Sequence, residues 1–133
     1  MALRPSAANE HGMALVVNNG LGIEHEDCPR ERGRWIYPPD RAGWKDFALS
    51  EWVLEGAGAA DRHVDHTETN IVVEGELHVE CQGRTVIART GDAVTVPANH
   101  VGRYWAPVYA RMYAIYGPSD TGEPPQDVHH WHL

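Results

Sequence analysis

The sequence predicts an all-β fold, an antiparallel sandwich or barrel, and three observations carry that reading. From Phe47 onward, short runs rich in Val, Ile, Tyr and Trp recur every eight to twelve residues or so, with Gly, Pro, Asp or Asn between them. Where a run is long enough to judge, it alternates: in "ELHVECQG", Leu77, Val79 and Cys81 fall on one face and Glu76, His78 and Glu80 on the other. No longer stretch shows a convincing helical period.

In chain order, residues 1–12 read as a loose arm, small and polar with no periodicity. "MALVVNNG" from Met13 predicts a short strand ending in an Asn-Gly turn. Residues 22–45 are rich in Pro, Gly and charge, which resists helix, and only "RWIY" reads as extended. The strand candidates follow: "FALSEWVLEG", "DRHV", "TNIVVEG", "ELHVECQG", "RTVIAR", "GDAVTVPA", "GRYWA" and "YARMYAIYG". Residues 13–118 are therefore expected to form one domain, and 119–133 a loop and a His-rich tail, "HHWHL".

Composition sets the function classes. A chain of 133 residues with 42% hydrophobic content suits a single folded domain. The formal charge is -8, and the 11 Lys and Arg residues are scattered, so a nucleic-acid partner is not expected. No apolar run approaches the roughly 20 residues of a spanning helix, and "MALRPSAANEHG" lacks a signal-type apolar core, so no membrane partner and a cytoplasmic location are expected. Cys28 and Cys81 lie far apart with no CxxC and are expected to be free thiols. There is no GxSxG and no Gly-rich phosphate loop.

The chemistry concentrates in "DRHVDHTETNIVVEG", residues 61–75. On a strand, Asp61 and His63 face the same side. Asp65 and His66 suit a turn, and Glu68, Asn70 and Val72 share a face on the next strand. If the two strands pair across that turn, Asp61, His63 and Glu68 converge, which is what a metal held by imidazole nitrogen and carboxylate oxygen requires. His66 joins them only if the turn points it inward. Trp52, Tyr104, Trp105 and Tyr113 are candidates for lining a pocket, with core packing the plainer role for at least two of them.

These residues resemble the motifs of the cupin superfamily. Its first motif is a histidine pair, a glutamate three or four residues on, and a glycine seven beyond the glutamate. Glu68 and Gly75 have that spacing, His63 stands in the second histidine position, and Asp61 takes the place of the first. "VVEGELHV" is similar to the family's strand-turn-strand. The second motif is a glycine, five residues, a proline and a later histidine. Gly91, Asp92 and Pro97 match it, whereas Gly102 occupies the histidine position and His100 lies two residues earlier. Two strand residues correspond to about 6.6 Å, so His100 needs a bulge or a returning loop to reach the centre. Similar departures occur among relatives of ureidoglycine aminohydrolase and in the ethanolamine-utilisation cupins.

The resemblance spans residues 48–118 and implies a small single-domain cupin barrel, a double-stranded β-helix or jelly roll. It implies a divalent transition metal (Fe, Mn, Ni or Zn) with Asp61, His63, His66, Glu68 and His100 as candidate ligands. Tyr104 and Asn70 are the candidate catalytic side chains. The implied function is dioxygenase, isomerase, lyase or hydrolase chemistry on a small molecule, and the alternative is a non-catalytic binding or accessory cupin without metal. The runs "IVV" and "VTV" are apolar on both faces, which predicts a homodimer covering the outer face.

Overall fold

The computed structural model describes residues 21–25 and 28–133, with side chains from Arg30 onward. The arm at 1–12, the strand expected from Met13 and the side chain of Cys28 lie outside the described residues; Cys81 is a free thiol. The described chain is ten strands and no helix: β1 Leu21–His25, β2 Cys28–Tyr37, β3 Ala48–Leu54, β4 Ala57–Arg62, β5 Glu68–Cys81, β6 Arg84–Arg89, β7 Ala93–Val96, β8 Val101–Ala106, β9 Ala110–Tyr116 and β10 Gln126–His132. Accordingly, no helix among the described residues is long and apolar enough to cross a membrane.

All pairings are antiparallel, in the order β1-β2-β3-β9-β5-β8-β4-β10, with β6 and β7 also on β5, and the sheet curls into a jelly-roll barrel. β5 organises it. Its first half pairs with β9 and β7, its second half with β6 and β8. The expected strand-turn-strand over "VVEGELHV" is instead one continuous strand of 14 residues, bent by a register shift between Val72 and Glu74. Gly75 sits just after the bend with φ +79°, and a Cβ there would lie 2.1 Å from the Tyr109 carbonyl oxygen. No other residue fits so close an approach.

Inward parity builds the core. Glu68, Asn70 and Val72 face in along the first half of β5, and Leu77 and Val79 along the second, as the alternation predicts. Leu54, Leu77, Val72 and Met112 are almost wholly buried, each burial contributing about 1.5–3 kcal/mol of transfer free energy. Between these large side chains, Ala57, Ala106, Ala110 and Ala114 let the strands curl closely.

Two segments differ from expectation. Most of the stretch expected to be irregular is the β1–β2 hairpin, and β2 continues the sheet along β3. Its charges obey strand parity: Arg32 pairs with Glu55 and Arg34 with Glu51, whereas Glu31 and Trp35 line the interior. The expected tail is β10, laid along the edge of β4 with His130 opposite Ala59 and Trp131 opposite Gly58. Trp131 lies under the Arg103 guanidinium at 4.8 Å, and His130 Nδ1 is 2.6 Å from Glu31 Oε2.

Candidate metal centre

β4 and β5 do not pair with each other. β4 lies between β8 and β10, and β5 starts on the β9 side of the barrel, so the bend at 64–66 carries the chain from one wall to another. Asp61, His63 and Glu68 therefore meet across the interior rather than along a hairpin. The convergence survives because inward parity on two walls of a curled sheet points at a shared interior.

One ligand atom from each of the three lies within 4.8 Å of the others. His63 Nε2 is 2.8 Å from Glu68 Oε1 and 3.3 Å from Asp61 Oδ2. Glu68 is 3% exposed, and its second oxygen accepts from Asn70 Nδ2 at 2.8 Å. Asn70 Oδ1 in turn accepts from Trp52 Nε1 at 2.7 Å. This chain leaves the Asn70 amide oriented and one Glu68 oxygen facing the imidazole. His63 Nδ1 is buried and has no partner among the described residues, so the two carboxylates hold the ring by Nε2 alone.

The charges set protonation. Burial by itself lowers the His63 pKa, but the hydrogen bonds to Asp61 and Glu68 and their charge outweigh it and push the imidazole up to about 10. Glu68 is raised by burial and by the Asp61 charge, against the opposing pull of His63 and Asn70. The three groups thus hold a proton between two carboxylates at neutral pH. A divalent ion is the natural replacement for it: a mixed nitrogen and oxygen donor set, close enough for one ion, suits Fe, Mn, Ni or Zn. The residues present fit a metal.

The other candidates are placed differently. His66 is buried at 5% exposure rather than solvated in its turn. Its ring is 4.6 Å from that of His63 and packs edge-on against Trp44 at 5.0 Å, but it is outside the three-residue cluster. Burial lowers its pKa, partly opposed by the Asp65 hydrogen bond. His100 stays in the turn before β8, with Nδ1 2.8 Å from the Ala98 carbonyl oxygen, and no bulge or returning loop brings it into the cluster. Gly102 is opposite Asp61 in the β4–β8 ladder. A Cβ there would meet the Tyr104 hydroxyl at 2.8 Å, so Tyr104 leans over the position where the motif histidine would stand. Tyr104 is 2% exposed and raised well above the usual phenol range by burial and by Glu68 and Asp61. Trp52 packs edge-on against it at 5.7 Å. Trp105 packs against His78 at 5.5 Å and Tyr113 is half-buried; neither lines the two cavities at the centre.

Those cavities flank the cluster. One, about 440 Å³, is reached by Glu68, Tyr104, Trp52 and Glu31; the other, about 600 Å³, by His63, His66 and Trp44. Asp61, Trp35 and Tyr116 line both. Tyr116 was findable from parity, since it continues the inward row Met112, Ala114 of β9, and its ring is 5.3 Å from His63. Trp35 lies in the run "RWIY", which reads as extended, but nothing local to that run points it at the site.

Comparison with known proteins agrees with this fold. A family model for the cupin domain matches residues 51–116. Over 75 residues, 56% of this chain, the sequence is 32% identical to the acetate kinase EutQ of Salmonella typhimurium, and the chain spans only 28% of that protein's length. Among solved structures, an RmlC-like cupin from Shewanella frigidimarina superposes with TM-score 0.60 at 18% identity, covering 76% of this chain and 84% of that one. A cupin-2 domain from Rhodospirillum rubrum gives 0.62 at 16% identity, over 82% and 74%. The EutQ protein of Clostridium difficile gives 0.53 at 18%, over 71% and 69%. At such identities these structures show the fold alone.

Proposed function

The chain carries a domain of the cupin superfamily, and on that premise we propose that it binds a divalent transition metal through Asp61, His63 and Glu68 and acts on a small organic molecule in the adjoining cavities. The observation that carries this reading is the convergence of three donor atoms within 4.8 Å inside the barrel. A bound ion would supply Lewis acidity, polarising an oxygen group of the substrate. The chain's own residues supply the rest. Asn70, held by Trp52, fixes the Glu68 carboxylate. Tyr104 offers a hydroxyl that has no hydrogen-bond partner among the described residues and stays protonated, which suits it to donate to a bound oxygen. Trp52 and Tyr116 line the cavity beside it with aromatic surface. The kinase activity in the relative's name is not carried over, because this chain spans only 28% of that protein's length.

A second reading has its own support. The same carboxylates and the aromatic walls beside them can also hold a polar ligand directly, as in a binding protein. Elemental analysis of untagged protein decides between them. The metal reading expects close to one equivalent of transition metal per chain, or its uptake on titration with Mn, Fe, Ni or Zn. Less than about a tenth of an equivalent with no uptake removes it and leaves the binding protein. Removing the tail histidines His129, His130 and His132 in a parallel sample shows whether bound metal sits at the surface.

A further inference from the structure

His66 stands beside the candidate centre without belonging to it, and its neighbours decide where its proton is. Its Nδ1 lies 3.0 Å from Asp65 Oδ1. Asp65 is ringed by donors: the Ser119 hydroxyl reaches Oδ1 at 2.8 Å, while the Asp120 N–H at 2.9 Å and the Thr121 N–H and hydroxyl at 3.1 Å reach Oδ2. A carboxylate in that setting is an acceptor only, so Nδ1 donates. A neutral imidazole then carries its lone pair on Nε2. No hydrogen bond to Nε2 is made among the described residues, the side chain is only 2% exposed, and it forms part of the wall of the 600 Å³ cavity.

The aromatic part of that wall has its polar atoms engaged elsewhere. Trp44 gives its indole N–H to the Tyr116 carbonyl oxygen at 3.0 Å, so it meets the cavity with an apolar ring and no free donor. The Tyr116 hydroxyl is shared with Ser50 at 3.2 Å. Asp61 belongs to the centre, and the charged groups Asp40, Arg41 and Glu123 also line the cavity. An acceptor open to the cavity among aromatic rings is what orients a ligand in such a pocket.

We propose that this cavity receives a small molecule with a flat apolar body against Trp44 and Tyr116 and a hydroxyl or N–H group that donates to His66 Nε2, and that Asp65 is the positioning residue that fixes the acceptor. The inference deepens the proposed function by naming the side from which the substrate approaches and its class, a ring-bearing alcohol or amine. It rests on that reading only for the identity of the adjoining centre.

The test uses metal-free protein at about pH 8 and a matched pair of probes, benzyl alcohol and benzyl methyl ether, with dissociation constants read from tryptophan fluorescence. The alcohol should bind about three- to tenfold tighter than the ether, the ratio that one net hydrogen bond gives. His66→Phe keeps a ring beside Trp44 and removes the acceptor, so the ratio should fall to about one. Should that variant not fold, the wild type alone decides, because a long-range nitrogen–proton NMR spectrum shows which His66 nitrogen carries the proton. Equal affinity for the two probes, no binding of either at millimolar concentration, or a proton on Nε2 each overturns the inference. A chain that takes up metal but shows no preference for the alcohol keeps the centre and loses this pocket. One that prefers the alcohol but takes up no metal does the reverse.

Discussion

β4 and β8 run side by side through the same part of the barrel, and they furnish it in opposite ways. Along β4 and the bend that follows, Asp61 and His63 present a carboxylate and an imidazole, joined by Glu68 from β5. Opposite Asp61, β8 presents the bare α-carbon of Gly102, and two residues on, the ring of Tyr104 leans back over it. Every candidate metal donor in the cluster thus comes from the first motif, and the second motif contributes shape. The difference teaches that the missing histidine is not replaced by a neighbouring histidine moved into its place. It is replaced by space, and an aromatic hydroxyl without a charge fills that space.

The largest expected effect breaks the comparison directly. His63→Ala removes the only nitrogen donor of the cluster, and metal affinity should fall by well over tenfold, since even residues that merely orient ligands cost 10–100-fold. His100→Ala, on the donor-free side, should leave affinity within about twofold, as should His78→Ala, whose ring is engaged with Glu76 and Trp105. Isothermal titration with Mn or Zn reads all three. A loss in His100→Ala equal to that in His63→Ala would mean the two strands share the centre after all.

Next in size is the pH dependence. An isolated imidazole predicts that binding weakens as pH falls through about 6.5. Between two carboxylates His63 is pushed up to about 10, so an incoming ion must displace a proton over the whole neutral range. Affinity should therefore rise about tenfold per pH unit up to the region of 10. The metal-free protein should respond with the opposite sign. A folded pKa above the unfolded value near 6.5 contributes stability that is complete below that value and is lost as pH climbs towards 10. Thermal melts with and without metal between pH 6 and 9 or so should diverge as pH rises; parallel curves would show that His63 holds no extra proton.

Which parts of this were legible in the sequence follows from how far apart the deciding partners lie. The inward row of Glu68, Asn70 and Val72 needs only the period-two rule, and it holds. Of β2 only Arg34–Tyr37 was legible, as the extended run "RWIY"; its first half was not, because Arg32 reads as a loop charge until Glu55, just past the end of β3, is seen to pair with it. β10 was missed for a similar reason: a short His-rich run has no strand signal of its own, and it is ordered by the free edge of β4. His66 reads as a candidate ligand only if its turn points inward, and what decides its burial is remote: Trp44 and the Ser119–Thr121 loop that grips Asp65. Convergence of Asp61, His63 and Glu68 was legible though the hairpin expected to produce it was not formed, since facing inward is a local property and the curl of the sheet does the rest.

The smallest effect probes the β8 side alone. A methyl group added at Gly102 would lie 2.8 Å from the Tyr104 hydroxyl and 2.9 Å from its Cε2, too close for either to stay. The ring is 2% exposed and backed by Trp52, so it has little room to withdraw. Gly102→Ala should cost about 1–3 kcal/mol of stability, the usual range for overpacking. If the cause is the ring, the penalty must depend on it. In Tyr104→Ala the space is free, and adding Gly102→Ala to that background should cost less than about 0.5 kcal/mol, a coupling that a double-mutant cycle in urea measures. The same background gives room for a larger side chain. Gly102→His with Tyr104→Ala places an imidazole opposite Asp61 in the ladder, and tighter metal binding there than in Tyr104→Ala alone would show that Gly102 is the vacant ligand position. A full Gly102→Ala penalty in the Tyr104→Ala background would instead place the strain in the β8 backbone, and Tyr104 would then be a core residue with no bearing on the missing histidine.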